Sequence, residues 1–284
     1  MIELSGNPGK KMSNASIFNE SACDGQPRAL YERLRRLPFV GAGLGWLVNC
    51  LYPRGRKVWV IVQGGLGKGL WMHLDPRYER SYHKADYESA VQEFLGEHLR
   101  SGDTFYEVGA HIGFLSMGAA RLVGAKGEVV AFEADPENIA RIEEHLLRNS
   151  LGQVRVVSRA VWSHAGRLRF ERASPFSSRN SGSVQEEPVP GRNSDVIEVE
   201  AVALDDYARD HRPPSLIKID AEGAELQVLK GGEGLISTEK PLILCEVHSA
   251  ELAEQVEKWL LEKGYCLEWF RGEAQFPRHL TARP

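Results

Sequence analysis

The pattern that most restricts this chain is an alternation of short apolar runs with amphipathic helical stretches, which begins after Asp86 and continues almost to the end. Residues 87–99 place Ala90, Val91, Phe94, Leu95 and Leu99 at the spacing of a single helical face. A strand is then expected over 104–108, a helix over 112–123, a strand over 128–132, a helix over 136–149 and a strand over 154–157. Strand-like runs at 168–171 and 196–202 flank a polar loop, 172–195, long enough to be functional or disordered. The alternation resumes with a strand at 216–220, a helix at 224–230, a strand at 242–247, a helix at 250–263 and strands near 266–270 and 275–280. This order requires a mostly parallel sheet covered on both faces, a Rossmann-like α/β fold, and it places ligands at the carboxyl ends of the strands.

The chain ahead of residue 86 reads differently. Residues 1–25 are polar, lack an apolar signal core and are expected to be disordered. Residues 26–85 are expected to form a helical and hairpin cap, leaving 86–284 as the cofactor-binding domain. Two β-rich runs flank Gly64-Gly65-Leu66-Gly67, and because no GK[ST] ending or helix follows, these glycines read as a hairpin turn and not a phosphate cradle. The apolar stretch 37–52 is shorter than the roughly 18 residues that a spanning helix needs, so it is read as a cap helix, with a surface-lying amphipathic anchor as the alternative. A net charge of -4 without long charged runs points away from nucleic acid. Cys23, Cys50, Cys245 and Cys266 are too scattered for a zinc site or a disulfide framework, and a cytoplasmic protein with reduced thiols is expected.

The first strand of the domain runs into Glu107-Val108-Gly109-Ala110-His111-Ile112-Gly113-Phe114, directly before a helix. Gly109 permits a sharp turn and a close ligand approach, and the helix start offers unpaired amides. A dinucleotide fingerprint would be GxGxxG, and here His111 replaces its second glycine. Glu107 would face the amino group of a methionine moiety, which favours S-adenosylmethionine over a pyrophosphate ligand. The next strand ends in Phe132-Glu133-Ala134, where a carboxylate is placed to accept the ribose hydroxyls. The cofactor-binding set is therefore Glu107, Val108, Gly109, Ala110, His111, Gly113, Phe132, Glu133, Ala134 and Asp220. His111 either lines this pocket or caps the following helix.

The motifs EVGAHIGF, AFEADPENIARIEEHLLRN, VEAVALDDY, LIKIDAEGAELQVLKGG and PLILCEVH resemble, in order and spacing, the FkbM-type methyltransferase family. KIDAEGAE is the most specific of them. The resemblance covers roughly residues 86–250 and implies a class I methyltransferase fold with a seven-stranded sheet, S-adenosylmethionine as cofactor and O-methylation of sugars or secondary metabolites. Two positions depart from the family pattern: Glu107 stands where Asp is usual, and His111 where Asn is usual. Asn180-Ser181-Gly182-Ser183 looks like the family's Asn-x-Gly turn, which would bring loop 172–195 beside the active site.

Methyl transfer to a hydroxyl needs in-line alignment and removal of a proton. Strand alternation lets Lys218, Asp220 and Glu222 project together, as it does Glu246 and His248. His248, with an ordinary pKa near 6.5, is the leading base and Asp220 the runner-up. Glu246 is expected to orient the imidazole, and Glu222 with Lys218 to hold the acceptor or the methionine moiety. A salt-bridge cluster at the sheet edge is the structural alternative. No metal is expected; a divalent ion on Asp220, Glu222, Glu246 and His248 is the sharper alternative, opposed by the charge of Lys218. Asp205-Asp206 reads as a helix N-cap pair. Tyr82, His83 and Tyr87 either close over the cofactor pocket or pack the cap. The expected partner is a small hydroxyl-bearing acceptor, a sugar or natural product, and a homo-oligomer is allowed. The competing functions are an N-methyltransferase, a nicotinamide-dependent oxidoreductase and a non-catalytic S-adenosylmethionine-binding protein.

Overall fold

The computed structural model describes residues 56–76, 78–172, 183–185 and 195–284. Two units divide the chain, Met1–Arg56 and Lys57–Pro284, and every element below belongs to the second. The expectations for residues 1–25, for the stretch 37–52, for the turn at Asn180-Ser181-Gly182 and for most of loop 172–195 lie outside the described residues.

A hairpin of β1 (Val58–Ile61) and β2 (Trp71–Leu74) opens this unit, followed by the short helix α1 (Arg80–Lys84) and by α2 (Ser89–His98). The alternating core consists of β3 (Thr104–Val108), α3 (Phe114–Val123), β4 (Glu128–Glu133), α4 (Pro136–Asn149) and β5 (Val154–Ser158). β6 (Ala160–Val161), β7 (Gly166–Glu171), β8 (Ser183–Gln185) and β9 (Val196–Val202) form a separate small sheet in the order β6-β9-β7-β8. The chain ends through α5 (Leu204–Ala208), β10 (Leu216–Ile219), α6 (Glu225–Gly231), α7 (Glu233–Glu239), β11 (Leu242–Val247), α8 (Ala250–Glu262), β12 (Cys266–Trp269) and β13 (Arg278–Arg283).

The main sheet has seven strands in the order β12-β13-β11-β10-β3-β4-β5. β11, β10, β3, β4 and β5 are parallel, whereas β13 runs against both of its neighbours. This is the Rossmann-like class I arrangement expected from the sequence. Its strand order reverses between β3 and β10, so the crevice at their carboxyl ends is the natural ligand site. β3 is buried at every position, as a strand covered on both faces must be.

Local chemistry explains the boundaries. Asp135 caps α4 by accepting from the Glu137 amide, Pro136 sits in its first turn, and Ser150 closes it in the left-handed conformation. Leu280 and Ala282 of β13 are buried, and the strand begins three residues later than expected because Pro277 has no N–H for the ladder. The short helices α1, α5 and α7 hold too few residues to display a full apolar period. Asp205 does not cap its own helix: its carboxylate accepts from the Gly234 and Leu235 amides and so caps α7.

The hairpin is bound to α4 by polar contacts. Trp71 and Asn149 exchange two hydrogen bonds, and the His73 amide donates to His145 Nε2. Arg141 reaches both oxygens of the buried Glu79 and the His73 carbonyl. Val62, Met72, Leu74 and Tyr82 share a core cluster with Leu95, Phe105 and Met117. The boundary expected at residue 86 therefore falls inside one compact unit, because the hairpin buries its apolar face against the domain. Arg141→Met strands the Glu79 carboxylate, and an expected loss of about 3–5 kcal/mol of stability should appear in urea denaturation.

Candidate active site

Parallel pairing sets Lys218 opposite Glu107 and Ile219 opposite Val108, so Gly109 and Asp220 emerge side by side where the crevice opens. Gly109 has φ +81, and a Cβ there would collide with the Asp220 carbonyl oxygen. A cavity of about 500 Å³ lies over these strand ends, within the range usual for small-molecule sites. Val108, Gly109, His111, Phe132, Glu133 and Ala134 line one part of it; Asp220, Glu222, Glu246 and His248 line another. Tyr82 and Tyr87 also line it, joined by Phe276 and Pro277, which sequence reasoning did not identify.

The other expected site residues lie deeper. Glu107, Ala110 and Lys218 border a much smaller adjoining void, and Gly113 starts α3 packed on Ile142. Glu107 is buried and accepts from the Ser116 hydroxyl instead of facing the open cavity. Burial raises its pKa to about 7 despite the opposing pull of Lys218 and Ser116.

Glu133 accepts from the His111 amide at 2.7 Å and from the Ala134 and Asp135 amides at 2.9 and 2.8 Å. With about four acceptor sites on a carboxylate, roughly one is left for a ligand hydroxyl. Burial raises Glu133 to about 7, and the amide bonds pull it back down. His111 adopts φ +50, its Nδ1 lies 2.9 Å from the Tyr82 hydroxyl, and burial lowers its pKa to about 4. It is thus a neutral hydrogen-bonding group on the cavity wall.

At the other end, Lys218 Nζ sits 3.1 Å from Asp220 and 3.6 Å from Glu88. His248 Nε2 is 3.8 Å from Asp220 and 3.4 Å from Glu222, while Nδ1 bonds Glu225 at 2.8 Å. The orienting carboxylate is therefore Glu225, not Glu246, whose side chain faces His279 at 3.5 Å. Glu225 stands in the KIDAEGAE motif, where its place as the last acid was the available signal. Burial alone would lower the His248 pKa, but Glu225, Asp220 and Glu222 outweigh it and raise it to about 9. These carboxylates favour the imidazolium over the free imidazole expected at neutral pH. Asp220 is held below the usual carboxylate range by Lys218 and His248, against the effect of its burial. Glu222 and His111, both lining the cavity, occupy the left-handed backbone region, which costs a non-glycine residue and is concentrated at functional sites.

Comparison with known proteins places this geometry in context. The Methyltransferase FkbM domain family matches residues 107–267. Hexuronic acid methyltransferase AglP of Haloferax volcanii is 27% identical over 177 residues, covering 62% of this chain and 68% of that protein. A putative methyltransferase of Jannaschia sp. is 27% identical over 164 residues, covering 54% of this chain and 57% of the relative. The crystal structure of methyltransferase FkbM from Methylobacillus flagellatus KT superposes with a TM-score of 0.48 at 18% identity, covering 72% of this chain and 55% of that one.

Proposed function

Because the chain belongs to the FkbM methyltransferase family, we propose that it is an O-methyltransferase that acts on a hydroxyl of a sugar or secondary metabolite. S-adenosylmethionine is the cofactor of that family, and the residues here fit it. The Gly109 turn admits a ligand where a side chain would not, Glu133 keeps an acceptor site for a ribose hydroxyl, and neutral His111 offers a further hydrogen-bonding group. When bound, the cofactor supplies an electrophilic methyl carbon on a cationic sulfur.

The observation that carries the proposal is the joining, in one cavity, of the Gly109–Glu133 wall and the Asp220–His248 wall. An acceptor hydroxyl beside His248 and Asp220 loses its proton to the neutral form of the His248 ring, with Asp220 as the alternative receiver. Glu225 fixes the ring so that Nε2 faces the cavity side. Glu222 is placed to hold acceptor hydroxyls, and Lys218 holds Asp220 ionised from beneath. The name of AglP supports a sugar acceptor. An amine acceptor is the second reading, favoured by the carboxylates of Glu133, Asp220, Glu222 and Glu246 around the cavity. A cytoplasmic location belongs to the same proposal; among the described residues, no helix is long and apolar enough to cross a membrane.

Radiolabelled methyl transfer into a panel of sugars and natural products tests the reading. Labelling of hydroxyl acceptors is expected, and labelling of amines alone overturns it. Calorimetry should show S-adenosylhomocysteine binding without NADH binding. Glu133→Ala is expected to weaken S-adenosylhomocysteine at least about tenfold, a loss of about 1.4 kcal/mol.

A further inference from the structure

Three side chains from separate elements meet next to Glu246. Glu246 of β11 lies opposite His279 of β13 in the antiparallel register, and Glu88, ahead of α2, closes the group. One ligand-type atom from each lies within 4.8 Å of the others. Neither Glu88 nor His279 lines the large cavity.

Two of these atoms have unmet hydrogen-bonding capacity. Glu88 Oε2 and His279 Nε2 are shut off from solvent and make no hydrogen bond, and His279 is only 9% exposed. Buried polar atoms are rarely left in that condition. Glu273 completes the arrangement: its Oε1 lies 2.7 Å from His279 Nδ1, and its Oε2 accepts the His279 amide. A carboxylate on Nδ1 fixes the ring with Nε2 toward Glu246, the arrangement usual for a metal-ligating histidine. Against the effect of burial, Glu246 and Glu273 both raise the His279 pKa, so an ion would bind there in place of the Nε2 proton.

The spacing leaves room for an ion between the His279 and Glu246 side chains. A charged N–H···O bond closes to about 2.7–2.9 Å. His279 Nε2 and Glu246 Oε2 stand 3.5 Å apart, whereas two ligands about 2.1 Å from a tetrahedral ion are separated by about 3.4 Å. We propose that Glu88, Glu246 and His279 form a binding site for a divalent transition-metal ion of the Zn²⁺ or Mn²⁺ type, oriented by Glu273. One imidazole with two carboxylates suits these ions better than calcium. Lys218, 3.6 Å from Glu88 Oε2, is an adverse charge, and Asp220 engages it more closely at 3.1 Å. Asp220, Glu246 and His248 form a second converging group, but both His248 nitrogens already face other carboxylates. An ion on the first group ties β13 and the start of α2 to Glu246, which lines the cavity, and so braces that wall.

The full chain, stripped with dipicolinate and titrated with Mn²⁺ or Zn²⁺, should bind about one ion, read by calorimetry and elemental analysis, with a rise in Tm. His279→Gln and Glu88→Gln should each weaken binding at least about tenfold, and Glu273→Gln by about 10- to 100-fold. Circular dichroism of the variants checks that they remain folded. The proposal is overturned if the stripped chain takes up no stoichiometric ion, if folded His279→Gln and Glu88→Gln bind like wild type, or if binding is lost in His248→Asn instead. Because the readout is ion binding, such a failure would leave the methyl-transfer reading standing.

Discussion

Gly109→Ala is expected to remove measurable cofactor binding, with affinity for S-adenosylhomocysteine falling at least about 100-fold, some 2.7 kcal/mol. The residue has φ +81, a conformation that costs an L-residue about 1–2 kcal/mol. Its new methyl group would also enter the space of the Asp220 carbonyl oxygen. To make room, the ends of β3 and β10 must part, straining the bonds from the Gly109 amide to Phe132 O and from the Asp220 amide to Val108 O. Those same strand ends carry the cofactor wall and Asp220, so one methyl group should disturb both. Gly152→Ala is the control, since a Cβ there meets nothing within 4 Å. Calorimetry on both variants checks the prediction, and wild-type affinity in Gly109→Ala would refute the placement of the cofactor at this turn.

His248→Asn should lower kcat by about 10²–10⁴ and, more diagnostically, change the pH profile. The neutral ring is the form that accepts a proton, and with a pKa of about 9 only about 1% is neutral at pH 7. Wild-type kcat should therefore climb nearly tenfold per pH unit and level off near pH 9. Glu225→Gln removes the carboxylate bonded to Nδ1, so the rising limb should move to lower pH. His248→Asn should lose the limb altogether. A flat profile in the wild type, with His248→Asn close to it, would transfer the proton to Asp220. Stability carries the same signature: a histidine raised from 6.5 to about 9 contributes stability that is complete below about 6.5 and disappears as pH rises through 9.

The amino-acid sequence by itself determined the α/β class, the family and the glycine turn that lines the cavity, because these rest on short-range signals. Apolar runs, helical periods and the Asp135-Pro136 cap act within a few residues, so β3, β9, β11 and α4 fall where the pattern puts them. Gly109, Glu133, Asp220 and His248 were legible for a related reason: parallel strands deliver their last residues to one edge of the sheet. Tertiary structure alone decided what each side chain meets there. Glu225 reaches His248 from the next helix, Glu246 turns to His279 across an antiparallel pair, and Glu107 is sealed beneath the loop that it was expected to serve. It also decided the shift of the His248 pKa, which depends on carboxylates brought in from the turn after β10 and from α6. Distance along the chain carries no information about such meetings, since a pKa and a hydrogen-bond partner are set by separation and burial in space, and those exist only once the sheet has closed.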